Sequence, residues 1–406
     1  MRVLFVNRFF YPDHSATSQM LTDLARDLRA AGMDIAVITG RQLIDNPRAR
    51  LAAHEVLDGI DVHRVWSTRF GRGTLVGRGI DYLSFYLGAG WRLARLCRRG
   101  DVVVANTDPP LISVVAGLVA KWRGALLVNW LHDLFPEVAQ RLGVAFVGGV
   151  LGKLLGAMRD RSLRRARLNV VLGTRMAEQL AGLGISSDRI AIIHNWADAE
   201  AIRPQPLKGH GTRKAWGIDE QFLVAYSGNM GYSHDFDTIL DAANRLRERN
   251  NIQFLFIGGG VRRAYVEQQA LDRGLTNVQF KPYQPRETLG QSLTAASAHL
   301  VSLLPQLEGL IVPSKFYAVA AAGRPIVFIG AEDGELAHLI EHGQCGFRVA
   351  PGDGRALADG IASLAADSDA WGRQGLAARR LFEERFDRRL ATDAWRRALQ
   401  GVIDER

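Results

Sequence analysis

Apolar positions along this chain alternate between two patterns. Short unbroken runs occupy residues 2–7, 34–39, 101–105, 125–128 and 169–172, as strands buried on both faces require. Between them apolar residues recur three and four apart, as in Met20, Leu21, Leu24, Ala25 and Leu28, which share one face of a helix. Strand followed by helix, repeated, predicts a parallel, doubly wound α/β sheet. Around residues 199–214 the rhythm breaks into a polar stretch containing Pro204, Pro206, Gly209 and Gly211, which reads as a linker. A second series follows, with strands expected at 222–227, 252–257, 278–280, 299–303 and 325–329. Residues 387–402 read as a closing helix that packs back on the first half.

The pattern therefore predicts two Rossmann-like domains facing across a cleft, divided as 1–200, 201–385 and the helical tail 386–406. Ligands of open α/β sheets bind at the carboxyl ends of the strands. Hydrophobic residues make up 47% of the 406 and charged residues 23%, the balance of a globular chain. Cys97 and Cys345 stand far apart and form no metal-type spacing, which fits a reducing compartment. No apolar run approaches the roughly 20 residues that span a bilayer. Met1-Arg2 runs directly into the first strand, so the mature protein is expected to begin there and to stay in the cytoplasm. Lysines and arginines exceed acidic residues by 51 to 42, which calls for an anionic partner: nucleotide, phospholipid surface or nucleic acid.

Chemistry concentrates in loops after strands. Gly228-Asn229-Met230-Gly231 follows the first strand of the second half, where two glycines let backbone approach a ligand; it reads as a phosphate-holding loop or as an ordinary tight turn. Gly258-Gly259-Gly260 is a second such loop. Neither it nor the Arg8–Ser15 loop has the G-x-G-x-x-G spacing, which argues against a dinucleotide oxidoreductase. Pro313-Ser314-Lys315 opens a helix closed by Gly323, with Ser314 as the expected N-cap and Lys315 in the first turn. A helix start carrying a lysine suits a diphosphate, and Glu308 just before it can accept from sugar hydroxyls; alternatively Ser314 only caps and Lys315 is solvated. In the first half His132 and Asp133 follow a buried strand and are either structural or positioned to order an acceptor hydroxyl. No metal-ligand cluster is readable, and no cofactor is expected.

Tyr11-Pro12-Asp13, Asp133 to Glu137, Asn195 to Asp198, Tyr226 to Gly231, Pro313 to Lys315 and Ala321 to Pro325, in that order, resemble the retaining GT-B glycosyltransferases of CAZy family four. More narrowly, they are similar to the bacterial subgroup that builds O-antigen, capsule and exopolysaccharide, including N-acetyl-fucosamine transferases. The resemblance implies a hexosyltransferase in which the first domain binds acceptor and the second a nucleoside-diphosphate sugar, with a UDP-sugar the expected donor. It implies that Gly228, Asn229, Met230, Gly231, Ser314 and Lys315 hold the diphosphate, and that Tyr283 and Gln284 meet the base. Glu308 and Gly309 would face the donor sugar, and His132, with Asp133, would lie near the reacting carbon. Ser15, Thr17 and Ser18 replace a glycine pair found in many relatives and are expected, with Asn195, on the acceptor side. Where many members carry a second glutamate this chain has Phe316, and Asn229, Ser233 and His234 stand where an arginine and a lysine commonly grip the diphosphate. A nucleotide-sugar epimerase, or a catalytically silent nucleotide- or membrane-binding partner of an active transferase, shares these features.

Two segments mix large apolar residues with cations. Residues 142–168 hold Phe146, Val150, Leu154 and Met158 among Lys153, Arg159, Arg161, Arg164, Arg165 and Arg167; residues 66–99 hold Phe70, Leu75, Phe85 and Trp91 among arginines. Basic amphipathic helices lie on anionic membranes, so they read either as a peripheral attachment to the inner face of the plasma membrane, suited to a polyprenyl-diphosphate-linked acceptor, or as core helices with solvated arginines. The same interleaving of basic and apolar residues argues against nucleic acid.

Overall fold

The computed structural model describes residues 1–46, 48–71, 75–144, 147–218 and 220–404, the Leu75 side chain excepted; Phe146 and that side chain lie outside the described residues. The chain divides into two units, Met1–His194 with Thr392–Arg406, and Asn195–Ala391. Residues 199–214, expected as a linker, lie inside the second unit. There Arg379 donates to the Ile202 carbonyl (2.8 Å) and Arg324 to that of Gln205 (2.6 Å), so the polar, proline-containing stretch is tied down rather than free.

In the first unit β1 (Arg2–Val6), β2 (Asp34–Gly40), β3 (His54–Leu57), β4 (Ile60–Val65), β5 (Val102–Asn106), β6 (Leu126–Trp130), β7 (Leu168–Val171) and β8 (Ile190–Ile192) form one sheet. Its order is β3-β4-β2-β1-β5-β6-β7-β8, parallel throughout except for the β3–β4 hairpin. Phe5 of β1 stands between Val37 and Val104, which is why the central runs contain almost nothing but apolar residues. Helices Leu75–Leu96 and Ile112–Arg123 cover one face, burying Phe85, Ala89, Leu93, Ala116 and Ala120 against it. Phe85 therefore belongs to the core and not to a lipid-facing surface.

In the second unit β9 (Phe222–Ser227), β10 (Ile252–Ile257), β11 (Val278–Lys281), β12 (Ala298–Ser302), β13 (Ile326–Ile329) and β14 (Gly346–Val349) form an all-parallel sheet ordered β11-β10-β9-β12-β13-β14. The last helix, Arg388–Asp404, starts in this unit and belongs to the first from Thr392 onward. There Trp395 meets Trp130 edge-on, ring centroids 4.9 Å apart. Among the described residues no helix is long and apolar enough to cross a membrane.

Candidate active site

Both sheets reverse their winding beside their first strand, between β1 and β5 and between β9 and β12. Such switch points leave room at the carboxyl edge for a ligand. Sequence-predicted residues lie in the loops that follow β1, β6, β9, β11 and β12.

In the second unit the loop after β9 and the helix after β12 meet at Lys315. Its ammonium donates to the Tyr226 hydroxyl (2.6 Å), the Asn229 carbonyl (3.1 Å) and His234 Nε2 (3.0 Å). His234 can accept because its Nδ1–H is committed to the Ser302 carbonyl at 2.6 Å. Burial, with the charge of Lys315 beside it, brings His234 down to about 3, so the ring is neutral. Tyr226 donates its hydroxyl hydrogen bond to the Asn229 carbonyl (2.8 Å) and lies under the ammonium, 4.4 Å from ring centroid to Nζ. Burial brings Lys315 to about 7, far below the ordinary lysine range: all three donors are matched, but among the described residues no anion offsets the charge.

The glycines make this crossing possible. Gly228, at φ +127°, leaves the path along which the Lys315 stem runs; a Cβ there would sit 2.8 Å from Lys315 Cε. Gly258, at φ +130°, lets the second loop lie against the first, since a Cβ would collide with the Gly228 carbonyl oxygen. Met230 N–H donates to the Gly259 carbonyl (2.6 Å), locking the loops together. Tyr283 is exposed, with its ring against Gly259, and Gln284 beside it donates to the Pro282 carbonyl (3.0 Å). Ser314 takes the N-cap position of the helix Lys315–Ala321, but its hydroxyl caps nothing, because the residue is already in helical backbone (φ −63°, ψ −19°). Glu308 is spoken for by another helix: its carboxylate accepts from the Glu335 N–H (2.8 Å), at the start of Glu335–Gly343. Gly309, next in the chain, is buried at φ +74°. Asn195 lies buried in the second unit with Oδ1 unpartnered among the described residues.

In the first unit Thr107 follows the last residue of β5, and His132 lies two residues beyond the end of β6. The Thr107 hydroxyl accepts from the His132 N–H (3.2 Å) and bonds the Asp133 carboxylate. Burial lowers His132 to about 3; burial, with Asp108 nearby, raises Asp133 to about 7. His132 Nε2 and Asp133 Oδ1 are buried with no hydrogen-bond partner among the described residues. Unmatched buried polar atoms on adjacent residues at the carboxyl edge of the sheet, one strand from the switch point, mark a place that a ligand completes. The neutral imidazole is fit to orient a hydroxyl and too weak a base to carry charge. In the loop after β1, Asp13 accepts from Ser15 N–H (2.8 Å) and the Ser15 hydroxyl (2.6 Å), while Ser18 donates to the Asp13 carbonyl (3.1 Å). Thr17 is half-buried on the same first turn.

Sequence reasoning missed the partners of Lys315, and also one imidazole–carboxylate cluster. On the β3–β4 hairpin Asp61 accepts from His54 (2.5 Å) and His63 (2.8 Å), whose rings stack at 4.8 Å. The only hint was the His54-x6-Asp61-x-His63 spacing. Among the described residues His63 Nδ1 is buried without the acceptor that a metal-bound imidazole needs, so hydrogen bonding accounts for the cluster.

Residues 15–196 match the family described as glycosyl transferase 4-like domain, and residues 221–367 the family described as glycosyl transferases group 1. The chain is 28% identical over 291 residues to the probable glycosyltransferase WbjE of Pseudomonas aeruginosa, covering 71% of this chain and 72% of that one. It is 28% identical over 237 residues to the putative colanic acid biosynthesis glycosyl transferase WcaI of Escherichia coli K12, covering 55% and 56%. Its fold is that of the Anabaena protein Alr3699/HepE, solved with UDP and glucose, at a TM-score of 0.73 and 17% identity over 99% and 100% of the two chains. With two parallel-sheet α/β domains of GT-B type, each half matched by a glycosyltransferase family, this chain is a glycosyltransferase belonging to group 1.

Proposed function

We propose that this enzyme moves a hexosyl unit, with retention, from a UDP-sugar to a lipid-linked glycan acceptor during assembly of a bacterial O-antigen or exopolysaccharide. The observation that carries the donor half is Lys315: a half-buried ammonium near neutrality, at the switch point, held by Tyr226, Asn229 and His234 beside two glycine loops. A diphosphate at Gly228–Gly231 supplies the missing anion, and HepE, of like fold, was solved with UDP. Tyr283 offers an exposed ring for the base. The C1–oxygen bond breaks with its electron pair going to the diphosphate. Lys315 and the loop N–H groups stabilise that charge. The acceptor hydroxyl adds from the same face and gives its proton to the leaving phosphate oxygen, with His132 and Asp133 orienting the reactants. No metal or cofactor enters.

The test incubates enzyme, polyprenyl-diphosphate-linked glycan and each of a set of UDP-, GDP- and dTDP-sugars, with mass spectrometry of the lipid product and NMR of the new linkage. One donor should give a product of unchanged anomeric configuration. Donor consumed with no acceptor present indicates an epimerase, and an inverted linkage removes the retaining mechanism. No turnover of any donor, from a sample that binds nucleotide, leaves the silent-partner reading.

A further inference from the structure

The helix Leu75–Leu96 is apolar on two opposite sides. One stripe, Phe85, Ala89 and Leu93, lies in the core. The other, Val76, Ile80, Leu83, Leu87 and Trp91, follows the same helical spacing and faces solvent, with Leu87 68% exposed. Helices apolar all round are normally buried on all sides. The neighbouring helix Ile112–Arg123 adds Leu118 and Trp122 (71% exposed), and Gly149–Arg165, packed against that one, adds Val150, Leu154 and Met158. The strand-end segment before the first helix joins them. Buried Asp81 accepts from the Thr68 hydroxyl (2.7 Å) and the Phe70 and Gly71 N–H groups (both 3.0 Å), which holds exposed Phe70 beside the helix.

The charge on these helices is one-sided. They carry ten lysines and arginines, three on the first, two on the second and five on the third, against Asp81 and Asp160. Arg159 is not a surface cation: its side chain is 6% exposed and bonds Glu137 twice (2.9 and 2.6 Å) and Asp160 (2.7 Å). With Asp160 paired to Arg159 and Asp81 buried, cations outnumber acidic groups on the exposed side of these helices. Arg95 stacks on Trp91 at 3.8 Å and Arg123 lies over Trp122 at 5.5 Å, so aromatic and cation share each position, as at a membrane interface.

We infer that this three-helix face docks on an anionic lipid bilayer, with its apolar stripes in the acyl boundary and its arginines among the headgroup phosphates. A second copy does not fit, because two-fold pairing would set the same excess of cations against itself. The inference rests on the lipid-linked-acceptor reading only for its purpose; its physical case is independent.

Vesicle flotation tests it, with phosphatidylcholine alone and mixed with phosphatidylglycerol, for wild type, Leu87→Gln/Trp122→Gln and Lys121→Gln/Arg161→Gln. Wild type should float with the anionic vesicles and not the neutral ones. The apolar double variant should lose about tenfold or more in partitioning, and the charge variant should lose binding that salt also removes from wild type. All four positions are exposed, so stabilisation by UDP should be unchanged in each variant. Failure of wild type to float, or equal flotation of the apolar double variant, overturns the proposal. So does light scattering that shows a dimer which the same variant splits. Loss of UDP stabilisation in wild type with flotation intact would instead sink the donor reading and leave this one standing.

Discussion

If Lys315 meets the donor diphosphate, nucleotide binding must take up a proton. In the empty site its pKa is near 7, lowered by burial. Beside a diphosphate it returns toward the ordinary value of about 10.4. The occupied site then holds more protons than the empty one, so affinity falls as pH rises through 7. From these two values the dissociation constant for UDP rises about fivefold between pH 7 and 8 and about tenfold between 8 and 9, or about 1.4 kcal/mol per unit. Titration of the phosphate itself, near 6 for a monoester, lies below this window. Calorimetry at pH 8 in two buffers of different ionisation enthalpy should show uptake of about 0.9 proton per UDP. Lys315→Met should bind weakly, with no pH dependence between 7 and 9. A wild-type affinity constant over that range, with no proton uptake, refutes the assignment of Lys315 to the diphosphate.

Other expectations follow from single contacts. Gly258→Ala, which drives a Cβ into the Gly228 carbonyl at positive φ, should cost about 2–4 kcal/mol, read as a lower urea midpoint, and should weaken UDP binding. Asp133 has its folded pKa raised to about 7 by burial and Asp108, so its stability term is complete below about pH 4 and is lost as pH rises through 7. Asp133→Asn should therefore unfold at higher urea than wild type at pH 8, by about 1–4 kcal/mol, with the gap closing toward pH 4. Glu137→Gln leaves buried Arg159 with Asp160 and the Phe135 carbonyl (3.3 Å) as partners among the described residues. Because Glu137 is about one-third exposed, the loss should be about 1–3 kcal/mol, short of that for a fully buried pair, measured by the same unfolding.

What the sequence disclosed follows from range. Val102 to Ala105 and Ile252 to Ile257 read as strands because burial on both faces leaves only apolar residues. Strands His54–Leu57 and Gly346–Val349 escaped because edge strands carry polar residues and look like loop. The helix at Lys315 was legible from Pro313, Ser314 and Gly323, all local signals. The partners of Lys315 were not, since Tyr226 and His234 lie 89 and 81 residues away and only the β9–β12 crossover brings them together. Glu308 shows the same limit: it looked ready for a sugar, yet bonds a helix start 27 residues on. Arg159 and Phe85 had the pattern of a membrane-facing surface, and an ion pair and a core, respectively, claimed them.

The most direct test of the account is thermal denaturation of wild type and Lys315→Met with a panel of UDP-, GDP- and dTDP-sugars. The account expects one nucleotide class, UDP, to raise the melting temperature of wild type and to leave the variant unmoved. Equal stabilisation of both proteins would contradict it, because the diphosphate would then be held without Lys315.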